Sequence, residues 1–222
     1  MAGGTKKIMV IDDHPIIHDG LKTLLASESA WEISMEATTA TEALEKLQDG
    51  LPDLAIVDLS LGDSDGTYLI QRLRKSHDKL PILVYTMSEE KLFAERTATA
   101  GANGFVMKTS PPSTLKSAIR AVLDGESYFS ADTARRVEKR MAGRPEKPKS
   151  LLDTLSNREM DIFKLIGEGL DTVSIADRLG ISRNTVDTHR INIKNKLELV
   201  NGKALDRMAY EVFQQGKLPE EE

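Results

Sequence analysis

Four short apolar runs in the first half of the chain each end at a polar or charged residue. IMVI is followed by Asp12 and Asp13, LAIV by Asp58, ILVY by Thr86, and GFVM by Lys108. If the runs are neighbouring parallel strands, their carboxyl ends meet at one edge of a sheet, where ligands of open α/β sheets bind. The sequence therefore predicts three carboxylates, a hydroxyl and an ammonium group in one crevice.

The chemistry of this set favours a metal ion and a phosphoryl group. Clustered carboxylates repel one another unless a cation lies between them, and oxygen ligands suit a hard ion such as Mg2+. The hydroxyl and the ammonium group add a hydrogen-bond donor and a fixed positive charge, which a tetrahedral oxyanion requires. We interpret the set as a carboxylate that accepts phosphate.

Through about residue 125 the chain alternates short β-branched runs with amphipathic stretches, a pattern typical of a parallel sheet covered on both faces. We expect a flavodoxin-like, doubly wound α/β domain over residues 1–125, with helices between five strands. The strands are predicted near Lys7–Ile11, Trp31–Glu36, Leu54–Val57, Ile82–Tyr85 and Gly104–Met107.

The rest of the chain has a different character. Residues 126–150 are basic and end in prolines, which predicts a linker with one short helix around Ala131–Met141. Residues 151–222 have helical patterning, and Ser156 with Glu159 forms a capping box at its start. We expect an all-α domain of four helices here.

Composition narrows the class of protein. A chain of 222 residues exceeds the usual size of one domain, so two domains are expected. The absence of cysteine excludes disulfides and thiolate metal sites. Residues 1–7 lead straight into a strand and no apolar stretch is long enough for a membrane span, so we expect a soluble, cytoplasmic protein without a membrane partner. The net charge of -5 argues against a uniformly basic nucleic-acid binder but allows a local basic patch.

Residues 171–197 have the length of a helix-turn-helix and the cap and turn residues expected of one. In the second helix, a rotation of about 100° per residue places Val186, Ile193 and Leu197 toward the core. Amides and hydroxyls on the opposite face can read base edges, and basic side chains can contact phosphates. The predicted DNA contacts are Arg183, Asn184, Asp187, Thr188, Arg190, Ile191, Lys194 and Asn195, with Lys196 adding to the local positive charge.

Taken together, these motifs resemble those of two-component response regulators of the LuxR/NarL/FixJ family. The receiver resemblance rests on IDDHP, on Asp58 within VDLSLGDSDG, on Thr86 and on GANGFVMK. The output-domain resemblance rests on LSNREMDIFKLIGEGL, SIADRLGIS and NTVDTHRINIKNKL. The two sets of motifs together extend over nearly the whole chain.

The resemblance implies a role for each residue of the receiver crevice. Asp58 would accept phosphate from a sensor histidine kinase. Asp13 and Asp58 would bind Mg2+ together with the carbonyl of Ser60, and Asp12 would assist through water.

The resemblance also implies a switch and an output. Thr86 and Lys108 would contact the phosphoryl group, and Phe105 would turn inward when Thr86 is drawn to the phosphate. Promoter DNA would be the target, and RNA polymerase is a further expected partner. Relatives often dimerise through the last helix, which predicts a contact formed by Ala204, Arg207, Met208 and Glu211.

Three positions depart from the family pattern as we interpret it. Gly62 replaces a usual proline, which frees the loop after Asp58 because glycine does not restrict φ. Met87 stands where small residues are common, and we expect slow phosphate turnover. Asp187 replaces a basic residue, which weakens DNA binding although a carboxylate can accept from cytosine N4.

The sequence also allows functions of three further kinds. An aspartate-dependent phosphatase would use the same acidic residues, but the sequence offers neither a nearby general acid nor a substrate cap. A protein-binding adaptor and a phosphorylation-independent DNA-binding regulator would each use the same two domains. We expect no enzyme activity beyond phosphorylation and dephosphorylation of the receiver itself, and we interpret His14 and His189 as structural.

Overall fold

The computed structural model describes residues 4–61, 64–141 and 151–215. The chain divides into two compact units, residues 1–144 and residues 145–222. Gly62, one of the departures from the family pattern, lies outside the described residues, as does the part of the expected linker from 142 to 150.

The first unit is built on a parallel sheet of five strands. In chain order, the strands of this unit are β1 (Lys6–Ile11), β2 (Trp31–Ala37), β3 (Leu54–Val57), β4 (Ser60–Leu61), β5 (Ser64–Asp65), β6 (Ile82–Thr86) and β7 (Gly104–Met107). The five-stranded sheet has the order β2-β1-β3-β6-β7, and all its pairs are parallel. The predicted sheet is confirmed, whereas the short antiparallel pair of β4 and β5 was not expected.

Helices cover both faces of this sheet. They are α1 (Pro15–Leu25), α2 (Ala40–Lys46), α3 (Gly66–Ser76), α4 (Glu90–Ala100) and α5 (Pro112–Leu123). One core cluster joins alternate strand residues, among them Ile8, Val10 and Ile56, to apolar residues of α1 and α5. The intervening strand residues Met9 and Ile11 are also fully buried, as in a sheet that is covered on both sides.

The first unit extends beyond residue 125, the end expected from the sequence. The segment after α5 returns to the sheet edge, where Phe105 N donates to Tyr128 O at 2.8 Å and Tyr128 N donates to Asn103 O at 2.9 Å. A further helix, α6 (Ala131–Met141), then packs on α4. Residues 126–141 are therefore part of the first unit rather than a linker, because backbone hydrogen bonds and side-chain packing attach them to it.

The second unit is all helical, as predicted. A 3-10 turn (Leu151–Thr154) precedes α7 (Asn157–Gly167), α8 (Thr172–Leu179), α9 (Arg183–Lys196) and α10 (Gly202–Gln215). The predicted capping box is present at the start of α7, and Asp171 and Ser182 cap α8 and α9. Helices α7 and α10 approach closely at Gly167, where a β-carbon would lie 2.6 Å from the carbonyl oxygen of Ala209.

Among the residues described, no helix has both the length and the apolar composition that crossing a membrane requires.

Candidate functional site

The polar strand-end residues of the first unit come together as expected. Asp12 follows β1, Asp58 follows β3, Thr86 ends β6 and Lys108 follows β7. Parallel pairing continues past the strand ends, because Asp58 N donates to Ile11 O at 2.9 Å and Lys108 N donates to Thr86 O at 2.7 Å. The backbone therefore holds these residues side by side at the carboxyl edge of the sheet.

Lys108 bridges two buried carboxylates. Its Nζ lies 2.6 Å from Asp12 Oδ2 and 2.7 Å from Asp58 Oδ2. All three side chains are almost completely buried. The other oxygen of Asp58, Oδ1, accepts from Ser60 N at 3.3 Å, so both oxygens of this carboxylate have a defined direction.

Burial and charge act together on the pKa values of the pocket. Burial and then the neighbouring Asp58 raise the pKa of Asp12, and Lys108 only partly opposes them. Burial lowers the pKa of Lys108, but Asp58 and Asp12 together outweigh it and raise that pKa above its usual value. The ammonium group is thus firmly charged, and the pocket still carries more negative than positive charge.

The acidic residues fit a divalent cation. Ligand atoms of Asp12, Asp13, His14 and Asp58 all lie within 4.8 Å of one another. Asp13 is the more exposed of the two adjacent aspartates, so the cluster is open to solvent on its side. Three carboxylates with one bound lysine are a suitable environment for a hard, oxygen-preferring ion.

His14 belongs to this cluster, although its sequence position alone suggested a structural role. Its Nδ1 lies 2.7 Å from Asp13 Oδ1 and 3.3 Å from Asp12 Oδ1, and its backbone N donates to Asp12 Oδ1 at 3.0 Å. Its position directly after the aspartate pair is the sequence feature that accounts for these contacts. Spacing among the histidines alone does not show contacts between a histidine and neighbouring aspartates.

The expected switch residues lie inside the fold. Thr86 is fully buried, and its hydroxyl oxygen accepts from Ser88 N at 3.3 Å. Phe105 is also buried. The side chain of Met87 is 64% exposed and therefore extends into solvent instead of packing in the core.

The exposed face of α9 is the second candidate site. Val186, Ile193 and Leu197 are buried, as the helical pattern predicted. On the opposite side, Asn184, Thr188, Ile191 and Asn195 form an exposed stripe, with Asp187 and Arg183 also exposed. Ile191 is 56% exposed, although an isoleucine of a packed helix is normally buried.

Two of the four basic residues of α9 are engaged within the second unit. Arg190 pairs with Asp206 of α10 at 2.6 Å, and Lys196 pairs with the buried Glu159 of α7 at 2.6 Å. Lys194 is partly exposed. The local positive charge that the sequence predicted is therefore reduced by these two internal ion pairs.

The residues expected at a dimer contact lie on one side of α10. Arg207 Nε donates to Glu211 Oε1 at 2.8 Å along the helix, and Ala204 and Met208 are partly exposed. Leu205 and Ala209 are buried instead and attach the helix to its own bundle. Met208 and Val212 of the same helix are only partly buried.

Two protein-family models match the chain. Residues 8–120 match the response regulator receiver domain, and residues 153–209 match the bacterial regulatory proteins of the LuxR family. Together they include both candidate sites.

Similar proteins have the same arrangement over nearly their whole length. The methanol utilization control regulatory protein MoxX of Paracoccus denitrificans is 35% identical over 197 residues, 88% of this chain and 86% of MoxX. The response regulator protein VraR of Staphylococcus aureus is 31% identical over 195 residues, 88% of this chain and 91% of VraR.

Solved structures of response regulators are also similar to this chain. RcsB of Salmonella enterica serovar Typhimurium, bound to the rprA promoter with the phosphomimetic BeF3-, is 26% identical with a TM-score of 0.58, over 92% of this chain and 98% of RcsB. A LuxR-family response regulator of Aurantimonas sp. SI85-9A1 is 32% identical with a TM-score of 0.56, over 63% of this chain and 99% of that protein. The chain therefore belongs to the LuxR family of two-component response regulators, and is a transcription regulator with a receiver domain and a DNA-binding helix-turn-helix domain.

Proposed function

We propose that the chain is a phosphorylation-controlled transcription regulator in which Asp58 accepts a phosphoryl group from a sensor histidine kinase. The observation that supports this assignment is the orientation of the Asp58 carboxylate. Lys108 binds one oxygen and the backbone of Ser60 binds the other, at the strand-end edge where ligands of such sheets bind.

In the transfer step, a carboxylate oxygen of Asp58 attacks phosphorus as the bond from phosphorus to the kinase histidine breaks. Lys108 lies 2.7 Å from the Asp58 carboxylate, close enough to stabilise the charge that spreads over the phosphoryl oxygens. The receiver thereby catalyses its own phosphorylation, and no substrate other than the phosphodonor is required.

We assign the cation as Mg2+. Asp13 and Asp58 would hold it directly with the carbonyl of Ser60, and Asp12 would bind it through water. When bound, it supplies positive charge against the carboxylates and the phosphoryl oxygens. The close approach of Asp12, Asp13 and Asp58 supports this assignment, because ligand atoms of all three lie within 4.8 Å of one another.

Thr86 and Phe105 form the proposed switch. The hydroxyl of Thr86 accepts from Ser88 N in this structure, and it would turn to donate to the phosphoryl group once Asp58 is modified. Phe105 lies on the neighbouring strand β7, where it pairs with Val84. It is two residues before Met107, the residue that pairs with Thr86. A shift of Thr86 would therefore leave space that Phe105 can fill.

The exposed stripe of α9 would read promoter DNA in the major groove. Asn184, Thr188 and Asn195 offer amides and a hydroxyl, and Ile191 offers an apolar contact for a thymine methyl. Arg183 and Lys194 would contact phosphates, whereas Asp187 would repel them or accept from cytosine N4.

A homodimer formed through Ala204, Arg207, Met208 and Glu211 would place two such helices on two half-sites, about one turn of DNA apart. The RcsB structures support this arrangement, because they include RcsB dimers bound to DNA. RNA polymerase is the expected partner at the promoter. We assign the protein to the cytoplasm, because that is where it would meet the proposed kinase, promoter DNA and RNA polymerase.

Binding to a library of DNA fragments, with and without Mg2+ and beryllofluoride, tests this function. We expect the phosphate mimic to induce tighter, sequence-selective binding together with dimer formation. Asp58→Asn should abolish the induction, whereas Asp78→Asn, at an exposed turn of the same unit, should retain it.

Equal induction in the Asp58→Asn variant would contradict the assignment of the phosphoacceptor. Selective binding that ignores the mimic would indicate phosphorylation-independent control. The absence of DNA binding in either state would favour the protein-binding adaptor.

A further inference from the structure

Arg190 lies on the buried side of α9, not on its exposed stripe. Val186, Arg190, Ile193 and Leu197 follow one another at intervals of four, three and four residues, which places them on one face of a helix. The other three of these residues are fully buried. The exposed stripe of Asn184, Thr188, Ile191 and Asn195 has the same spacing on the opposite face, so Arg190 points away from the surface that would read DNA.

The guanidinium of Arg190 joins α9 to α10. Its Nη2 lies 2.6 Å from Asp206 Oδ1, and the Arg190 side chain is 21% exposed. A charge-assisted hydrogen bond from a planar guanidinium is directional. A rotation of α9 about its axis would break this contact.

A second ion pair anchors the C-terminal end of the same helix. Lys196 Nζ lies 2.6 Å from Glu159 Oε2, and the same oxygen accepts from Ser156 N at 2.7 Å in the capping box of α7. Two helices, α10 and α7, thus bind α9 through its own basic residues.

We propose that Arg190 is a positioning residue: its ion pair with Asp206 sets the rotation of α9, and it does not contact DNA. The inference rests on the proposed function of α9. It removes Arg190 from the DNA contacts expected from the sequence. Base-edge hydrogen bonds depend steeply on distance and angle, whereas phosphate contacts from long, flexible side chains tolerate small shifts. Loss of the pair should therefore reduce sequence selectivity more than overall affinity.

Two single variants with opposite charge changes distinguish the two roles. Arg190→Gln removes a positive charge, and Asp206→Asn removes a negative one. If Arg190 contacted a phosphate, the first variant would weaken binding to all DNA, and the second would strengthen it by releasing the arginine. If Arg190 is a positioning residue, both variants lose selectivity, by roughly tenfold if the equivalent of one base contact is lost.

The measurement uses the full chain and two DNA fragments: one selected from a random library by the unaltered protein, and one of scrambled sequence. The ratio of the two dissociation constants reports selectivity, and the slope of log affinity against log salt reports phosphate contacts. Arg190→Gln should leave the slope unchanged, whereas loss of one phosphate contact lowers its magnitude by about 0.9. Lys194→Gln provides that comparison, because Lys194 is a proposed phosphate contact.

The double variant Arg190→Asp with Asp206→Arg keeps the net charge and reverses the pair. Recovery of at least part of the selectivity lost in the single variants would support the positioning role, and none would count against it. A reduced salt slope in Arg190→Gln, or stronger binding by Asp206→Asn, would overturn it. Circular dichroism and thermal unfolding check that the variants fold, and selection by the unaltered protein tests the proposed DNA-binding function beforehand.

Discussion

The Asp12 carboxylate is 2% exposed and shares a single lysine with Asp58. Burial and the second carboxylate raise the pKa of Asp12 above 3.8, its ordinary value. A raised pKa in the folded state stabilises the fold below the unfolded value, and this stabilisation is lost as pH rises through the folded value. As pH rises, Asp12 therefore increasingly opposes folding when no cation is bound.

We expect Asp12→Asn to stabilise the first unit at pH 7 in the absence of divalent ions, by roughly 1 kcal/mol. The amide keeps the shape of the side chain and removes the buried charge. The same variant should lose most of the stabilisation that Mg2+ gives to the unaltered protein. Thermal unfolding at pH 7, with Mg2+ and with a chelator, measures both effects.

Asp53→Asn is a control of opposite sign. The backbone N–H of Lys7 holds the pKa of Asp53 below its usual value, so its ionised form stabilises the fold above pH 3.8 and this stabilisation is lost as pH falls. Its replacement should lower stability at pH 7 and leave the Mg2+ effect intact. If Asp12→Asn also lowers the stability at pH 7, the prediction is contradicted. That result would show that Lys108 already offsets the negative charge of Asp12.

At the residue scale, the sequence predicts site residues best where the same local pattern recurs along the chain. The strand-end aspartates and Lys108 were found because each follows an apolar run of the same kind. His14 was interpreted as structural, and its contacts with Asp12 and Asp13 were not predicted, because its own spacing does not show them. Arg190 was assigned to the DNA contacts by its charge, and its spacing from Val186 and Ile193 places it on the side of α9 that carries the buried residues.

Helix α6 shows how an element is attached by a few polar contacts. Ser130 N donates to Glu90 Oε1 at 2.9 Å, and the hydroxyl of Thr133 donates to the same oxygen at 3.2 Å. Thr133 is 1% exposed, and Glu90 lies in the first turn of α4, four residues after Thr86. The start of α6 is thereby connected to the first turn of α4, which comes directly after the loop that follows the proposed switch residue.

We expect Thr133→Val to weaken the attachment of α6, by about 1–2 kcal/mol, because it removes a buried hydrogen bond to a charged acceptor and keeps the shape of the side chain. Amide hydrogen exchange in residues 131–141 should become faster, while exchange in the sheet stays the same. Thr99→Val is the matched control, since the Thr99 hydroxyl donates to Glu95 O at an exposed position of α4. Equal exchange of α6 in the two variants would contradict a structural role for the Glu90 contacts.

At the element scale, the five strands of the parallel sheet were predicted with nearly correct bounds. The helix at Ala131–Met141 was also predicted, but its place in the first unit was not. Its apolar residues are few, and its attachment depends on Glu90 and on the pairing of Tyr128 with the edge strand β7. Such contacts join residues that are far apart in sequence and leave no periodic pattern.

At the scale of the whole chain, each unit has its own buried core and its own proposed ligand. In the first unit the core joins the sheet to α1 and α5. In the second, Phe163 packs edge to face on Phe213, with ring centroids 5.7 Å apart, and Ile162 and Ile193 are fully buried. A ligand of the first unit should therefore act first on the stability of that unit.

We expect Mg2+ with beryllofluoride to stabilise residues 1–141 selectively, by about 2.7 kcal/mol at a ligand concentration of 100 times Kd. Trp31, the one tryptophan of the chain, lies in β2 and reports on the first unit by its fluorescence. Hydrogen exchange in α7 and α9 reports on the second. Asp58→Asn should remove the shift in the Trp31 transition, whereas selected DNA should protect α9 in both proteins. Equal protection of α7 by the phosphate mimic without DNA would instead show that the units share one stability, because a ligand raises the stability of the whole cooperative unit to which it binds.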